Sequence, residues 1–352
     1  MPLLRIGSRL VASRLSPTRF FGPTISTIGI FAVVYLLITG KINLSNLDMG
    51  TLAGQLGDPD DPTIATPIKL DTNTARVADR IRIATFSVTN WNDTKAADPN
   101  IMQVIATVVS SFDLVAIQGI SSPQNVSVTR VLEMLNRGGS RYAADVSEPI
   151  GPRNLLMQYA FLYDMNRIRM IPESNYTIRD DADRMRYEPR VASFETRASQ
   201  NLGPGQAPFR FTILNCNIDP NQSTASQTQS ELSVLDDVFV RVRDYEYKTR
   251  GEDDVILVGN LNVDARNLGE LGLVPEIISI AANQATTTVN DRTVDHILID
   301  RSVSTEFSAR FGVMNLQQAF SLTLGQAMSV SEHRPVWAEF NVVESSSLPI
   351  KR

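Results

Sequence analysis

The chain has little of the chemistry that most readily identifies a protein. Among 352 residues there are one cysteine and two histidines. A single cysteine, Cys216, excludes an intramolecular disulfide and any cysteine-cluster metal centre. It lies in the apolar run FRFTILNCNI (209–218), where a small buried side chain is expected rather than a nucleophile. No internal repeat is present. Acid is absent from residues 1–41, where Arg5, Arg9, Arg14, Arg19 and Lys41 carry +5. Set against a total of −5, that leaves −10 on the remaining residues. An acidic body argues against strong non-specific nucleic-acid binding, because neutralising phosphates takes clustered Lys and Arg.

What is there begins with an uncharged run, FFGPTISTIGIFAVVYLLITG, at 20–40. At about 1.5 Å per residue it reaches roughly 30 Å, the thickness of a bilayer core. Four arginines precede it, so the positive-inside rule keeps residues 1–19 cytoplasmic and sends the remainder out of the cytoplasm. A cleaved signal peptide fits less well, since the run is long and no A-x-A-like site follows; a buried core helix is the other alternative. We read 20–40 as a signal anchor. Residues 41–78 contain GDPDDP without sustained periodicity and read as a flexible linker. The folded region is expected over 79–345, with a short tail at 346–352.

Composition is that of an ordinary globular protein, 43% hydrophobic and 20% charged. From residue 79 the pattern alternates. Strands are expected at RIRIATFSV, DLVAIQGI, YAADV, YAFLYDMNRI, VASFETRA, FRFTILNCNI, DVILVGNLNV, DHILID, FSARFGVMNL and RPVWAEFNVV. Helices are expected at NIMQVIATVVSSF, VTRVLEMLNRGG and SQTQSELSVLDDVFVRVRDYEY. Interleaved strands and helices indicate a layered α/β domain. Several strands end in polar clusters, which is where such domains usually build their sites.

Eight segments, in order, carry a resemblance: ATFSVTNW (84–91), FDLVAIQGI (112–120), GPRNLLMQYAFLYD (151–164), YEPRVASF (187–194), LNCNIDP (214–220), VGNLNVDA (258–265), VDHILID (294–300) and SEHRPVWAEF (331–340). Together they resemble the endonuclease/exonuclease/phosphatase superfamily, the deoxyribonuclease I-like fold. That resemblance implies a two-sheet, four-layer α/β sandwich, here preceded by one transmembrane helix. It also implies hydrolysis of a phosphodiester or phosphomonoester, assisted by Mg²⁺ or Mn²⁺ held on carboxylates, with a His/Asp pair activating water.

Each motif position can be compared with what that chemistry needs. His333 falls at the catalytic histidine, Asp295 at its orienting aspartate, and Asn262 at a retained polar position; Gln118 is also retained. Glu332 stands where the family has aspartate and is the one weak metal-ligand candidate among these. His296 is common in the family and is expected to be structural. The other positions differ. The metal-binding glutamate is Gly119 and the aspartate of the GDxN motif is Asn260. The second catalytic histidine is Asn217, with Met157 in place of its supporting glutamate. Ser87 replaces an asparagine and Tyr187 an arginine. Asp93, Glu188, Asp219 and Asp264 lie near motif loops and are the acids that would serve as relocated ligands.

The expected function is therefore that of an impaired hydrolase, binding a phosphate-containing ligand or an envelope protein through the old active-site face. The alternative is a working metal-dependent phosphodiesterase or nuclease with altered ligation. A purely structural envelope protein is a third possibility. Four N-x-S/T sequons, at Asn92, Asn125, Asn175 and Asn221, are weak signals.

Overall fold

The computed structural model describes residues 75–198, 202–204, 206–218 and 231–345. The expected tail at 1–19, membrane segment at 20–40, most of the 41–78 linker and the 346–352 tail lie outside the described residues, as do Asp219 and Asn221. Among the described residues no helix is long and apolar enough to cross a membrane.

Two mixed sheets form the centre. The first contains β1 (Arg80–Trp91), β2 (Leu114–Ile120), β3 (Tyr142–Val146), β4 (Gln158–Asp164), β12 (Phe307–Val313) and β13 (Val336–Asn341). Their spatial order is β12-β13-β1-β2-β4-β3. The second contains β5 (Ile168–Met170), β6 (Tyr176–Thr177), β7 (Arg190–Thr196), β8 (Arg210–Asn217), β9 (Val255–Asn260), β10 (Ile277–Ser279) and β11 (Asp295–Asp300). Its order is β10-β11-β9-β8-β7-β5, with β6 also on β7. β1 runs parallel to β2 and β8 parallel to β9, while β11 runs antiparallel to β9.

Period-two patterning sorts the side chains into layers. In β8, Leu214 and Cys216 cluster with Leu235, Val238, Phe239 and Val242 of helix α4 (Leu232–Arg250), which covers the outer face of the second sheet. Burial pushes the Cys216 thiol well above its ordinary pKa, so it stays protonated in this layer. Helices α1 (Asp93–Ala97), α2 (Pro99–Ser110) and α3 (Val126–Asn136) lie on the first sheet. There Phe86, Val115, Ile117 and Leu162 cluster with Ile105 and Val109 of α2 and with Val131 of α3. Asp98 starts α2 by accepting from the Asn100 and Ile101 N–H groups, with Pro99 in the first turn.

Aromatic rings join the sheets across the middle. Phe161 of β4 meets Phe194 of β7 edge-on at 5.5 Å, and Phe209 stacks on Phe211 of β8 and on Phe340 of β13. All five rings are fully buried, each contributing on the order of 1.5–3 kcal/mol. Helix, sheet, sheet and helix make the four expected layers.

Two local expectations change. FSARFGVMNL is not one strand: β12 stops at Val313, and Asn315 caps helix α5 (Leu316–Phe320) by accepting from Gln318 N–H. A further helix, α6 (Leu324–Val330), opens with a capping box between Thr323 and Gln326. Arg76, within the segment read as linker, pairs with buried Asp113 and Asp164 at 3.0 Å each.

Candidate functional site

Parallel pairing puts the carboxyl ends of β1 and β2, and of β8 and β9, side by side. Asn217 faces Asn260 across β8 and β9, and Asn260 faces Asp295 across β9 and β11. Three motif positions are thus adjacent because their strands are in register. Above them lies a cleft of about 320 Å³, lined by Ser87, Thr89, Asn90, Gly119, Ser121, Asn154, Leu155, Leu156, Met157, Tyr187, Asn217, Asn260 and His333. Ser87, Gly119, Met157, Tyr187, Asn217 and Asn260, six of the positions read from the sequence as substituted, line this cleft together with the retained histidine.

His333 is held from two sides. Its Nδ1 lies 2.8 Å from Asp295 Oδ2, and its backbone N–H donates to Ser331 Oγ at 2.9 Å. Ser331 in turn donates to the Ser87 carbonyl, tying the histidine to β1. Thr286 positions Asp295 by accepting from the Val294 and Asp295 N–H groups. Ser331 and Thr286 are the positioning groups that motif reading passed over; the serine was visible only as the first letter of SEH.

Burial is the largest influence on the His333 imidazole and opposes its charge. The Asp295 carboxylate, its hydrogen bond and Glu332 together outweigh that cost, and the pKa is raised above 6.5. The ring therefore carries more positive charge near neutral pH than an ordinary histidine. A raised folded-state value stabilises the fold fully below the unfolded pKa and loses that contribution as pH rises through the folded one. Denaturant midpoints from pH 6 to 8.5 should therefore fall more steeply for the native chain than for His333→Gln. Parallel profiles would show that the pair does not charge in this way.

The other retained residues have different placements. Asn262, at φ +56°, donates its side-chain amide to the Ile218 carbonyl and its N–H to Asn260 Oδ1 at 3.0 Å, and it is not part of the cleft lining. Glu332 is exposed and also outside the lining; its carbonyl accepts from Thr288 N–H. Gln118 is buried between the sheets, donating to Thr85 Oγ1 and Asn215 Oδ1. His296 is fully buried between Ser279 Oγ and the Val263 carbonyl, and burial lowers its pKa. Asn217 Nδ2 lies 3.4 Å from Met157 Sδ, so the two substituted dyad positions still touch.

The resemblance implies Mg²⁺ or Mn²⁺ here, but the described residues do not fit either ion. Among the described residues no carboxylate lines the cleft. A hard cation needs charged oxygen ligands, and the cleft offers amides, hydroxyls, a thioether and an imidazole. Asp295 spends Oδ2 on His333 and keeps Oδ1 buried without a partner. Of the acids proposed as relocated ligands, Asp93 accepts from Ser122, Asp264 caps a short 3₁₀ turn, and Glu188 lines a separate cavity. At the rim, Leu155 and Leu156 are 50% and 40% exposed, an apolar lip signalled only by two leucines in a polar loop.

No family model matches the chain. Curated relatives do: deoxyribonuclease-1-like 2 of Mus musculus is 27% identical over 278 residues, covering 75% of this chain and 92% of the relative. Deoxyribonuclease-1 of Rattus norvegicus is 25% identical over 285 residues, covering 75% and 93%. In three dimensions, the chain is similar to an endonuclease/exonuclease/phosphatase family protein from Bacteroides thetaiotaomicron. The TM-score is 0.52 at 15% identity, over 76% of this chain and 98% of that one.

Proposed function

We propose that this chain, a member of the endonuclease/exonuclease/phosphatase superfamily with a deoxyribonuclease I-like domain, is a catalytically impaired hydrolase that binds a phosphate-containing ligand. In this reading, residues 20–40 anchor it in a membrane with the folded domain outside the cytoplasm, where an envelope protein would be the other kind of partner. The observation that carries the proposal is a cleft, at the strand ends that hold the motif residues, lined by no carboxylate among the described residues. Metal stabilisation of transition-state charge supplies several kcal/mol, and a positioned proton-transfer group about 10²–10⁴-fold in rate. Among the described residues the cleft has neither a metal carboxylate nor the second dyad. What it keeps is the positively biased His333 ring among Asn, Ser, Thr and Tyr donors, which suits a bound phosphate better than a reacting one.

One observation favours a second reading. The Asp295–His333 pair is intact at 2.8 Å, the arrangement that activates water or a leaving group. A working metal-dependent phosphodiesterase would need ligands from outside the described cleft.

The test is phosphodiester hydrolysis by the full chain in detergent with Mg²⁺, Mn²⁺ and Ca²⁺, beside His333→Ala and an Asn217→His/Asn260→Asp double variant. The expected result is no metal-dependent turnover in the native chain and His333-dependent binding of inorganic phosphate by calorimetry. Metal-dependent turnover lost in His333→Ala would establish the second reading instead.

A further inference from the structure

The loop between β3 and β4 gives the cleft an apolar side. Its base is closed by backbone hydrogen bonds between Ile150 and Met157 in both directions, at 2.8 and 3.0 Å, and Leu155 N–H donates to the Pro152 carbonyl near its tip. Leu155 and Leu156 are the one adjacent pair among the exposed large apolar side chains of the described residues. A single surface leucine needs no explanation, but two side by side at the rim of a polar cleft do. Met157, buried at the foot of the same loop, continues the apolar side down to Asn217. All three line the cleft together with His333.

Tyr187 holds this loop in place. Its hydroxyl donates to the Leu155 carbonyl at 3.1 Å, and its ring lies so close to Gly151 that a Cβ there would come within 2.5 Å of it. The Arg186 guanidinium sits 5.9 Å from the centre of the same ring. The position to which the superfamily resemblance gives an arginine thus carries a strut under the leucine lip instead of a charge. Among the described residues that line the cleft there is no Lys or Arg, and Tyr187 is the one Phe, Tyr or Trp. A polynucleotide needs clustered cations along its backbone and free aromatic faces for its bases, and the cleft supplies neither.

We propose that the cleft binds a phosphate ester of an aliphatic alcohol, with the phosphate at His333 and the first carbons of the chain along Met157, Leu155 and Leu156. This rests on the phosphate-binding reading above and names the alcohol which that reading leaves open. The two ends of the cleft match the two ends of an amphiphile. The positively biased imidazole and the neutral donors around it suit the anion. The lip covers methylenes that would otherwise stay in water, and the leucines are themselves covered in return. A cleft of about 320 Å³ has room for a headgroup and a few carbons, so a longer chain leaves across the exposed leucines.

The experiment is calorimetric titration of methyl, butyl and hexyl phosphate into the full chain in detergent; the three carry the same charge and differ only in methylenes. Each methylene taken from water is worth about fourfold in affinity. Butyl phosphate should therefore bind at least tenfold more tightly than methyl phosphate. Leu155→Ser/Leu156→Ser, two changes at exposed positions, should bring butyl phosphate down to the affinity of methyl phosphate. Tyr187→Phe keeps the ring but releases the Leu155 carbonyl, and should lose part of the gain. Dihexanoyl phosphatidic acid is titrated beside them. Tighter binding than hexyl phosphate assigns the ester to a lipid and weaker binding to a single-chain alkyl phosphate, and either sustains the proposal. Equal affinity for methyl and butyl phosphate would overturn it while leaving the phosphate reading in place. Butyl phosphate bound as tightly by the double leucine variant as by the native chain would overturn it too, because the chain would then lie elsewhere. Binding of none of the esters would overturn both readings.

Discussion

Gly259→Ala is expected to destabilise the domain by more than about 4 kcal/mol. Gly259 sits at φ +136°, in a region that residues with a side chain rarely adopt. A Cβ added there would lie 1.9 Å from the Cys216 carbonyl oxygen and 2.8 Å from its carbon. These are backbone atoms of β8, the parallel neighbour in which Cys216 is paired with Gly259. On the other side Gly259 is paired with His296 of β11. A methyl group would therefore have to spread the centre of a fully buried sheet. Backbone strain of this kind costs about 1–3 kcal/mol, and the steric clash adds to it. Against a typical domain stability of about 5–15 kcal/mol, a loss above about 4 kcal/mol is expected. Urea denaturation followed by circular dichroism would measure it; a variant within about 1 kcal/mol of native would show that β8 and β9 can separate. The same close approach holds Asn217 beside Asn260, so the residue that spaces the strands also sets the floor of the cleft.

Gly119→Glu should fail to restore a metal site and should destabilise the fold. The substitution looks like a simple return to the superfamily residue, but the backbone has changed with the side chain. Gly119 has φ +81°, and a Cβ there would lie 2.6 Å from the Val88 carbonyl oxygen. β2 is irregular at this point, with its pairing to β1 shifting after Gln118 and its pairing to β4 shifting after Ile117. A left-handed non-glycine residue costs about 1–3 kcal/mol before the clash is counted. Gly119→Ala should show most of the stability loss, which separates the backbone effect from the carboxylate. Calorimetry with Mn²⁺ should detect no added binding in Gly119→Glu. Asn260→Asp, by contrast, keeps an oxygen that can accept from Asn262 N–H and should fold normally. Native-like stability of Gly119→Glu with new Mn²⁺ affinity would mean that the ligand was lost only at the side chain.

Much of the candidate site was legible in the sequence because its residues lie at the ends of strands with strong apolar patterns. Once RIRIATFSV, FRFTILNCNI and DVILVGNLNV are strands joined in the superfamily order, Ser87, Asn217 and Asn260 must share one edge of the two sheets. Asn262 and Glu332 show the limit of that reasoning. Both occupy motif positions, but a left-handed backbone directs Asn262 to the Ile218 carbonyl, and Glu332 lies on the surface. Motif spacing carries no dihedral angle, so neither orientation could be read from it. Met157 is the reverse case: its motif gives it no partner, and the structure sets its Sδ 3.4 Å from Asn217 Nδ2.

The sequence by itself determined the layered α/β class, the strand edge that would carry the site, and the loss of charged groups at Gly119, Asn217 and Asn260. The first two follow from side-chain type and periodicity, which are local properties, and the third is what the resemblance to the superfamily motifs implies. Only the tertiary structure decided that no described carboxylate reaches the cleft and that Gly119 is held by its backbone conformation. It also decided that Leu155, Leu156 and Met157 line the same cleft as His333. The physical reason is that sheet register and chain crossing bring together residues as far apart in sequence as Ser87 and Ser331, 244 positions, which no local pattern of charge or hydrophobicity records.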